Sequence, residues 1–259
     1  MGNILPLLLA AALGLPGAAA ALPPRLEDTG FEVLEKTPFT PRHALWSDGS
    51  AKRRWLHLPR GSAIDTAQPD AWEFPRGTRA WKEFSENGRK VETRYIERLA
   101  DGSWRYATYV WNREGTQAVL APAEGLGKIP SRTDCLACHE GAPVPILGYS
   151  AVQLEALLPP ALGYLHANCG HCHNDTGPLA NVELALAQRA AAPAQSAART
   201  RATVLPRAAD LLRKMRSSYA LTRMPPLGVT IPDAEGIALV ARWIQEQEQQ
   251  PRPSTGASP

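Results

Sequence analysis

The spacing of apolar and polar residues changes near residue 150. Before it, short runs alternate with the two-residue period of strands. Residues 91–99 (VETRYIERL) and 103–111 (SWRYATYVW) flank Ala100-Asp101-Gly102 and predict a β-hairpin whose tip needs a positive φ. Residues 55–58 and 79–84 predict further strands, punctuated by Pro59, Gly61, Pro75 and Gly77. Past Ser150 the apolar residues are mostly Ala and Leu at helical spacing. One helix is expected over residues 161–169 and a second over 206–217, with Pro206 in its first turn. A third is expected over 233–248, where Ile237, Val240, Ala241 and Ile244 form one stripe and early acidic residues suit the helix dipole. The class expected is α+β, with the β-rich part first.

Composition trims this picture at both ends. Residues 4–21 (ILPLLLAAALGLPGAAAA) carry no charge, and Ala19 and Ala21 offer the small-x-small pattern of a signal-peptidase site. A signal peptide over residues 1–21 is therefore expected, with export to the periplasm, although no Lys or Arg precedes the apolar run. An uncleaved anchor is the alternative, and Pro6, Pro16 and the Ala-rich end argue against it. No second segment is long and apolar enough to span a bilayer, so no membrane span is expected in the mature chain. Residues 250–259 are polar and Pro-rich and read as a disordered tail. The formal charge of +3 is too small to imply a nucleic-acid partner. Lys52-Arg53-Arg54, the densest basic run, reads as a solvated strand end or loop.

The four cysteines carry the chemistry. Cys135-Leu-Ala-Cys138-His139 and Cys169-Gly-His-Cys172-His173 are both C-x-x-C-H. That spacing suits covalent haem: two thiols add to the two vinyl groups, and the next residue turns an imidazole onto the iron. A Cys₄ zinc site and two structural disulfides are the alternatives. Both leave unexplained why, with only six His in the chain, one follows each pair. Met224 opens Met-Pro-Pro-Leu-Gly, 51 residues after His173, between two expected helices. A thioether in a Pro-stiffened loop suits a sixth iron ligand, and an ordinary buried Met is the plainer reading. Gly163 lies six residues before Cys169 and Trp243 sits in the last helix, a pairing that would let two helices cross closely. Only 29 residues separate His139 from Cys169, too few for a complete domain around the first motif. Its pocket is expected to be borrowed from both neighbours. Met215 and His166 are candidates for its further ligand, with His43 and His57 in the β-rich part behind them.

Residues 161–247, with Gly163, Cys169–His173, Met224-Pro225 and Trp243, resemble the class I cytochrome c domain. The resemblance implies thioether links at Cys169 and Cys172, a proximal ligand at His173 and a distal one at Met224. The whole chain also resembles a bacterial periplasmic family of diheme c-type cytochromes. That likeness is carried by Thr40-Pro41-Arg42, Leu45-Trp46-Ser47-Asp48-Gly49, Lys52-Arg53-Arg54-Trp55, Trp81-Lys82-Glu83-Phe84, Glu92-Thr93-Arg94 and Tyr109-Val110-Trp111-Asn112, followed by the two cysteine motifs.

The organisation expected is a signal peptide (1–21), a β-rich domain (22–133), a first haem segment (134–160), an all-α class I cytochrome c-like haem domain (161–249) and a tail (250–259). Two covalently attached haems c are implied. The function expected is electron transfer between periplasmic redox protein partners. A diheme enzyme with an open first iron, as in diheme peroxidases, and a ligand-binding β domain with a cytochrome outlet are the other readings.

Overall fold

The computed structural model describes residues 21–156 and 158–249. Nearly all of the expected signal peptide, and the whole of the expected tail, lie outside them.

The first half is one antiparallel sheet in which each strand pairs with the next. Its strands are β1 (Thr37–Pro38), β2 (Ala51–His57), β3 (Arg79–Glu86), β4 (Arg89–Arg98), β5 (Trp104–Trp111) and β6 (Ala118–Leu120). The β4–β5 hairpin turns at Gly102, whose φ is +92°. Lys52-Arg53-Arg54, expected at a strand end or loop, lies within β2.

Alternation gives the sheet two buried faces. On one, Trp55, Trp81, Tyr95 and Ala107 stand opposite one another across four strands. Leu26 and Phe31, from the segment ahead of β1, close over them. That segment is fixed by polar contacts: the Trp81 indole N–H donates to Thr29 Oγ1 at 2.9 Å and the Tyr109 hydroxyl to the Pro23 carbonyl at 3.0 Å. On the other face Leu56, Ala80, Ile96 and Tyr106 form the matching rung. It packs against Trp72, Phe74, Val144, Ile146 and Ala151.

The remaining elements are α1 (Arg132–His139), α2 (Ala151–Leu154), α3 (Pro160–Asn168), α4 (Pro193–Val204), α5 (Ala208–Arg216) and α6 (Ala234–Gln249). Their core joins Leu162 and Leu165 of α3, Val204 of α4, Leu211 and Met215 of α5, and Ile237, Val240, Trp243 and Ile244 of α6. The expected helix over 206–217 begins as a 3-10 turn (Leu205–Arg207) before α5. The Ala-rich α4 was not expected.

The expectation of an all-α class I cytochrome c-like domain is overturned. The structure is a six-stranded antiparallel sheet followed by mostly short helices in one cluster near the C-terminal end. Residues 169–192, broken by Gly170, Gly177 and Pro178, form no helix beyond the 3-10 turn Ala180–Val182. The cysteine-bearing side of the helix cluster is closed by the sheet instead of by further helices.

The helix crossing also differs in detail from expectation. A Cβ on Gly163 would fall 2.1 Å from the ring of His43, so Gly163 admits His43 and not Trp243. The close approach of α3 and α6 is made at Gly236, where a Cβ would fall 2.2 Å from the Tyr164 ring.

Gly236→Ala gains about 1 kcal/mol in helix propensity. It also displaces a ring held between two packed helices, a cost of about 1–3 kcal/mol. The expected net result is a loss of about 1 kcal/mol of stability, read as a lower denaturation midpoint at unchanged slope.

Candidate functional site

The first motif ends α1. Ser131 caps the helix, its hydroxyl accepting from the Asp134 N–H while the Asp134 carboxylate accepts from the Ser131 N–H. Cys135, Cys138 and His139 follow along the same short helix. The His139 ring lies 5.1 Å from that of Tyr106 on β5. Its Nδ1 is 2.6 Å from the Pro145 carbonyl. A carbonyl there fixes the proton on Nδ1 and leaves Nε2 as a free lone pair. Burial pushes the His139 pKa down to about 4, against the raising effect of that hydrogen bond, so the ring is neutral near pH 7.

The second motif lies at the end of α3, where the chain leaves the helix. The His173 N–H donates to the Cys169 carbonyl at 2.9 Å, and the His173 carbonyl accepts from Leu186 N–H at 3.0 Å. His173 is buried, and its Nδ1 has no hydrogen-bond partner among the described residues. Asn174 ties the two motifs together: its Nδ2 donates to the carbonyls of Gly141 at 3.0 Å and of Gly170 at 2.9 Å.

Both motifs open onto one cavity of about 290 Å³, or about 1960 Å³ if all space open to solvent is counted. Cys135, Cys138, His139, Cys169, Cys172 and His173 all line it, together with Met215 and Met224. Its sheet wall is Ala80, Ile96 and Tyr106, passing into Arg54, Lys82 and Arg94. None of the four cysteines is in a disulfide. Burial raises the Cys169 thiol to about 12. The Cys138 thiol is raised to about 12 by donating toward Cys172, with burial second, and the same contact lowers Cys172. Donor atoms of Cys138, His171 and Cys172 lie within 4.8 Å of one another, a soft sulfur and imidazole set suited to a transition metal.

No family model, curated protein or solved structure matches the chain.

Of the residues singled out from sequence, the structure gathers the six motif residues, Met224 and Met215. It does not gather the other histidines. His166 Nδ1 accepts from the Gln188 N–H at 3.0 Å, His57 Nδ1 lies 2.7 Å from the Glu35 carbonyl, and His43 packs on Gly163. None of the three lines the cavity. Sequence reading missed His171 and the three cations of the sheet wall. The signal of His171 was its place inside the second motif, and that of the cations a same-face spacing on strands whose register no local pattern reveals.

The Met224 loop is held from the sheet side. The Asp48 carboxylate accepts from Thr230 N–H at 2.8 Å, Thr230 Oγ1 at 2.6 Å and Ile231 N–H at 3.0 Å, with Lys128 at 3.4 Å. Burial acts to raise the Asp48 pKa, but these bonds outweigh it and hold the carboxyl below its ordinary value. A depressed carboxyl stabilises the fold above its unfolded pKa, and that contribution is lost as pH falls through the folded one. Asp48→Ala is expected to cost about 2 kcal/mol at neutral pH, the loss of hydrogen bonds to a charged group. The gap to wild type should shrink as pH drops below the ordinary aspartate range. Urea unfolding at pH 7 and pH 3, with hydrogen exchange across residues 224–231, measures both.

Proposed function

We propose that the chain is an exported c-type cytochrome with two covalently attached haems, one at Cys135–His139 and one at Cys169–His173. On this reading it carries electrons between redox protein partners in the periplasm. The observation that carries the reading is convergence: two C-x-x-C-H motifs, 29 residues apart from His139 to Cys169, open onto the same cavity. The donor chemistry fits. Each cysteine pair is beside an imidazole with an uncommitted nitrogen: Nδ1 of His173, and Nε2 of His139 opposite its carbonyl-bound Nδ1. Two thioethers, Met215 and Met224, face the same space from the helical side. Bound there, haem supplies a one-electron couple whose potential follows its axial ligands and the polarity around it.

The chain's own residues then have separate tasks. Pro145 orients His139 through its carbonyl, and Asn174 holds the two motif turns together. Asp48 fixes the loop that carries Met224. Apolar side chains line the cavity from both walls, Ile96 and Tyr106 from the sheet and Leu186 and Leu211 from the helical side. Among the described residues no helix is long and apolar enough to cross a membrane.

A second reading is favoured by one observation: Cys138, His171 and Cys172 could hold a single metal ion as thiolates and imidazole. It competes with the first, since a cysteine in a thioether link is no longer a thiolate ligand.

Covalent haem counted per chain by the pyridine haemochrome spectrum, after expression with haem-attachment machinery, is expected to be two. Replacing both Cys135 and Cys138 with Ser should leave one, and so should the same change at Cys169 and Cys172. Met224→Ala should keep two haems and make a reduced iron bind carbon monoxide. A haem-free chain holding one equivalent of zinc would establish the second reading in its place.

A further inference from the structure

The register of the sheet sets three cations in a row. Arg54 on β2 stands opposite Lys82 on β3, and Lys82 opposite Arg94 on β4. All three line the cavity, and Lys52 adds a fourth cation on the same face of β2. Like charges directly opposite in a sheet repel, and poor solvation strengthens the repulsion. The protein offers little to relieve it. Glu92, the carboxylate on this stretch, is engaged by Arg94 at 2.6 Å. Arg54 is only 7% exposed, and among the described residues nothing bonds or ion-pairs with its guanidinium. The Lys82 ammonium meets the Phe84 ring, 4.9 Å to the centroid.

The opposite face shows how the same strands treat buried charge when it is meant to be self-contained. There Glu83 is paired with Arg53 at 2.8 Å and Lys90 at 3.7 Å, and Glu97 lies between Arg79 and Arg105. Burying an unpaired charge costs several kcal/mol, on the order of the penalty for one desolvated ion. The carboxylates that line the cavity are engaged elsewhere, Asp134 by Ser131 and Asp210 by Arg213 and Lys214, so a row of cations turned into it is stable when an anion from outside the polypeptide completes it.

We propose that Arg54, Lys82 and Arg94 form a binding site for a carboxylate or similar oxyanion on the sheet wall of the cavity. Guanidinium supplies a planar two-pronged donor and ammonium a point charge, a combination suited to a carboxylate or phosphate oxygen pair. Burial also lowers the pKa of Arg54 to about 10 and that of Lys82 well below its ordinary value, as expected of cations short of a counter-charge. The cations belong to the chain whatever the cofactor; only one source of the anion rests on the haem reading. That source is a propionate carboxylate of a haem attached at the first motif, whose His139 feels the charge of Lys82 and Arg94. The other source is a small diffusible oxyanion.

The test uses the full chain after haem attachment, comparing wild type with Arg54→Gln, Lys82→Gln and the conservative Arg54→Lys. Haem per chain, both midpoint potentials and inorganic phosphate binding by calorimetry are measured on each. If propionate is the ligand, haem content holds and one potential falls in the Gln variants, because a positive charge beside the iron is lost. Arg54→Lys then returns toward wild type, and phosphate does not bind. If the ligand is diffusible, wild type takes up one phosphate per chain, and either Gln variant weakens it by at least about tenfold. Unchanged potentials together with no phosphate uptake by wild type would overturn the proposal. Should no haem attach, the haem reading fails, and phosphate uptake by the same chain alone decides the anion site. Should Arg54→Gln not fold, the more exposed Lys82→Gln carries the comparison.

Discussion

Residues 42–48 leave the sheet and run into the helical part, where their polar groups find partners more than a hundred positions away. Arg42 N–H donates to the Gln153 carbonyl at 2.9 Å, and His43 N–H to the Gln153 side chain at 3.1 Å. Asn168, buried at the end of α3, accepts from Trp46 N–H at 2.7 Å and donates to the Ala44 carbonyl at 3.1 Å. The Trp46 indole reaches the Ile231 carbonyl at 2.8 Å. A half-buried irregular segment has no neighbouring strand or helical turn to satisfy it, so its bonds to the buried Gln153 and Asn168 are costly to leave unmade. Together they fix the sheet face and the helix cluster as two walls of one cavity. Gly163 is part of the same hold, since any side chain there would expel His43.

The two walls bring different chemistry. From the helical side come the second motif and the thioethers of Met215 and Met224. The sheet side, read along one face, passes from the apolar rung of Leu56, Ala80, Ile96 and Tyr106 to the cationic row of Arg54, Lys82 and Arg94. The first motif stands at the junction, with Tyr106 against His139. A low-dielectric space with ligand atoms on one side and fixed positive charge on the other favours reduced or anionic occupants over cationic ones. That preference is independent of which occupant binds.

Local structure was legible in the sequence, and long-range assembly was not. The β4–β5 hairpin could be read because its period and its Asp101-Gly102 tip are both local. The stripe of α6 could be read for the same reason, and Ile237, Val240 and Ile244 are buried. The helix α4 was missed because the residues it buries, Ser196, Thr200 and Val204, include two hydroxyls and give no apolar stripe. The cation row was missed because alternation tells which residues share a face but not which stand opposite. That register depends on a 21-residue connection between β2 and β3 and on an irregularity at Phe84/Ser85. The all-α expectation failed for a related reason. A cysteine motif, a Met-Pro loop and a closing helix lie close together in sequence, while the wall facing them comes from strands some hundred residues upstream.

The short spacing between the motifs, a difficulty when each is imagined with its own domain, becomes the means of joining them. Their turns meet backbone to backbone. A Cβ on Gly141 would fall 2.8 Å from Pro178 and 3.1 Å from the His171 carbonyl, and one on Gly170 would fall 2.9 Å from the Ala187 backbone. With glycine at both places, Asn174 reaches a carbonyl of each turn and Cys138 comes to face Cys172. Groups attached to these two cysteines would be neighbours by construction, whatever their orientation. On the haem reading, exchange between the two centres then needs no motion of one domain toward another. The same closeness explains why both motifs open onto one cavity: two separate pockets would need a wall between them, and the 29 intervening residues include α2 and α3.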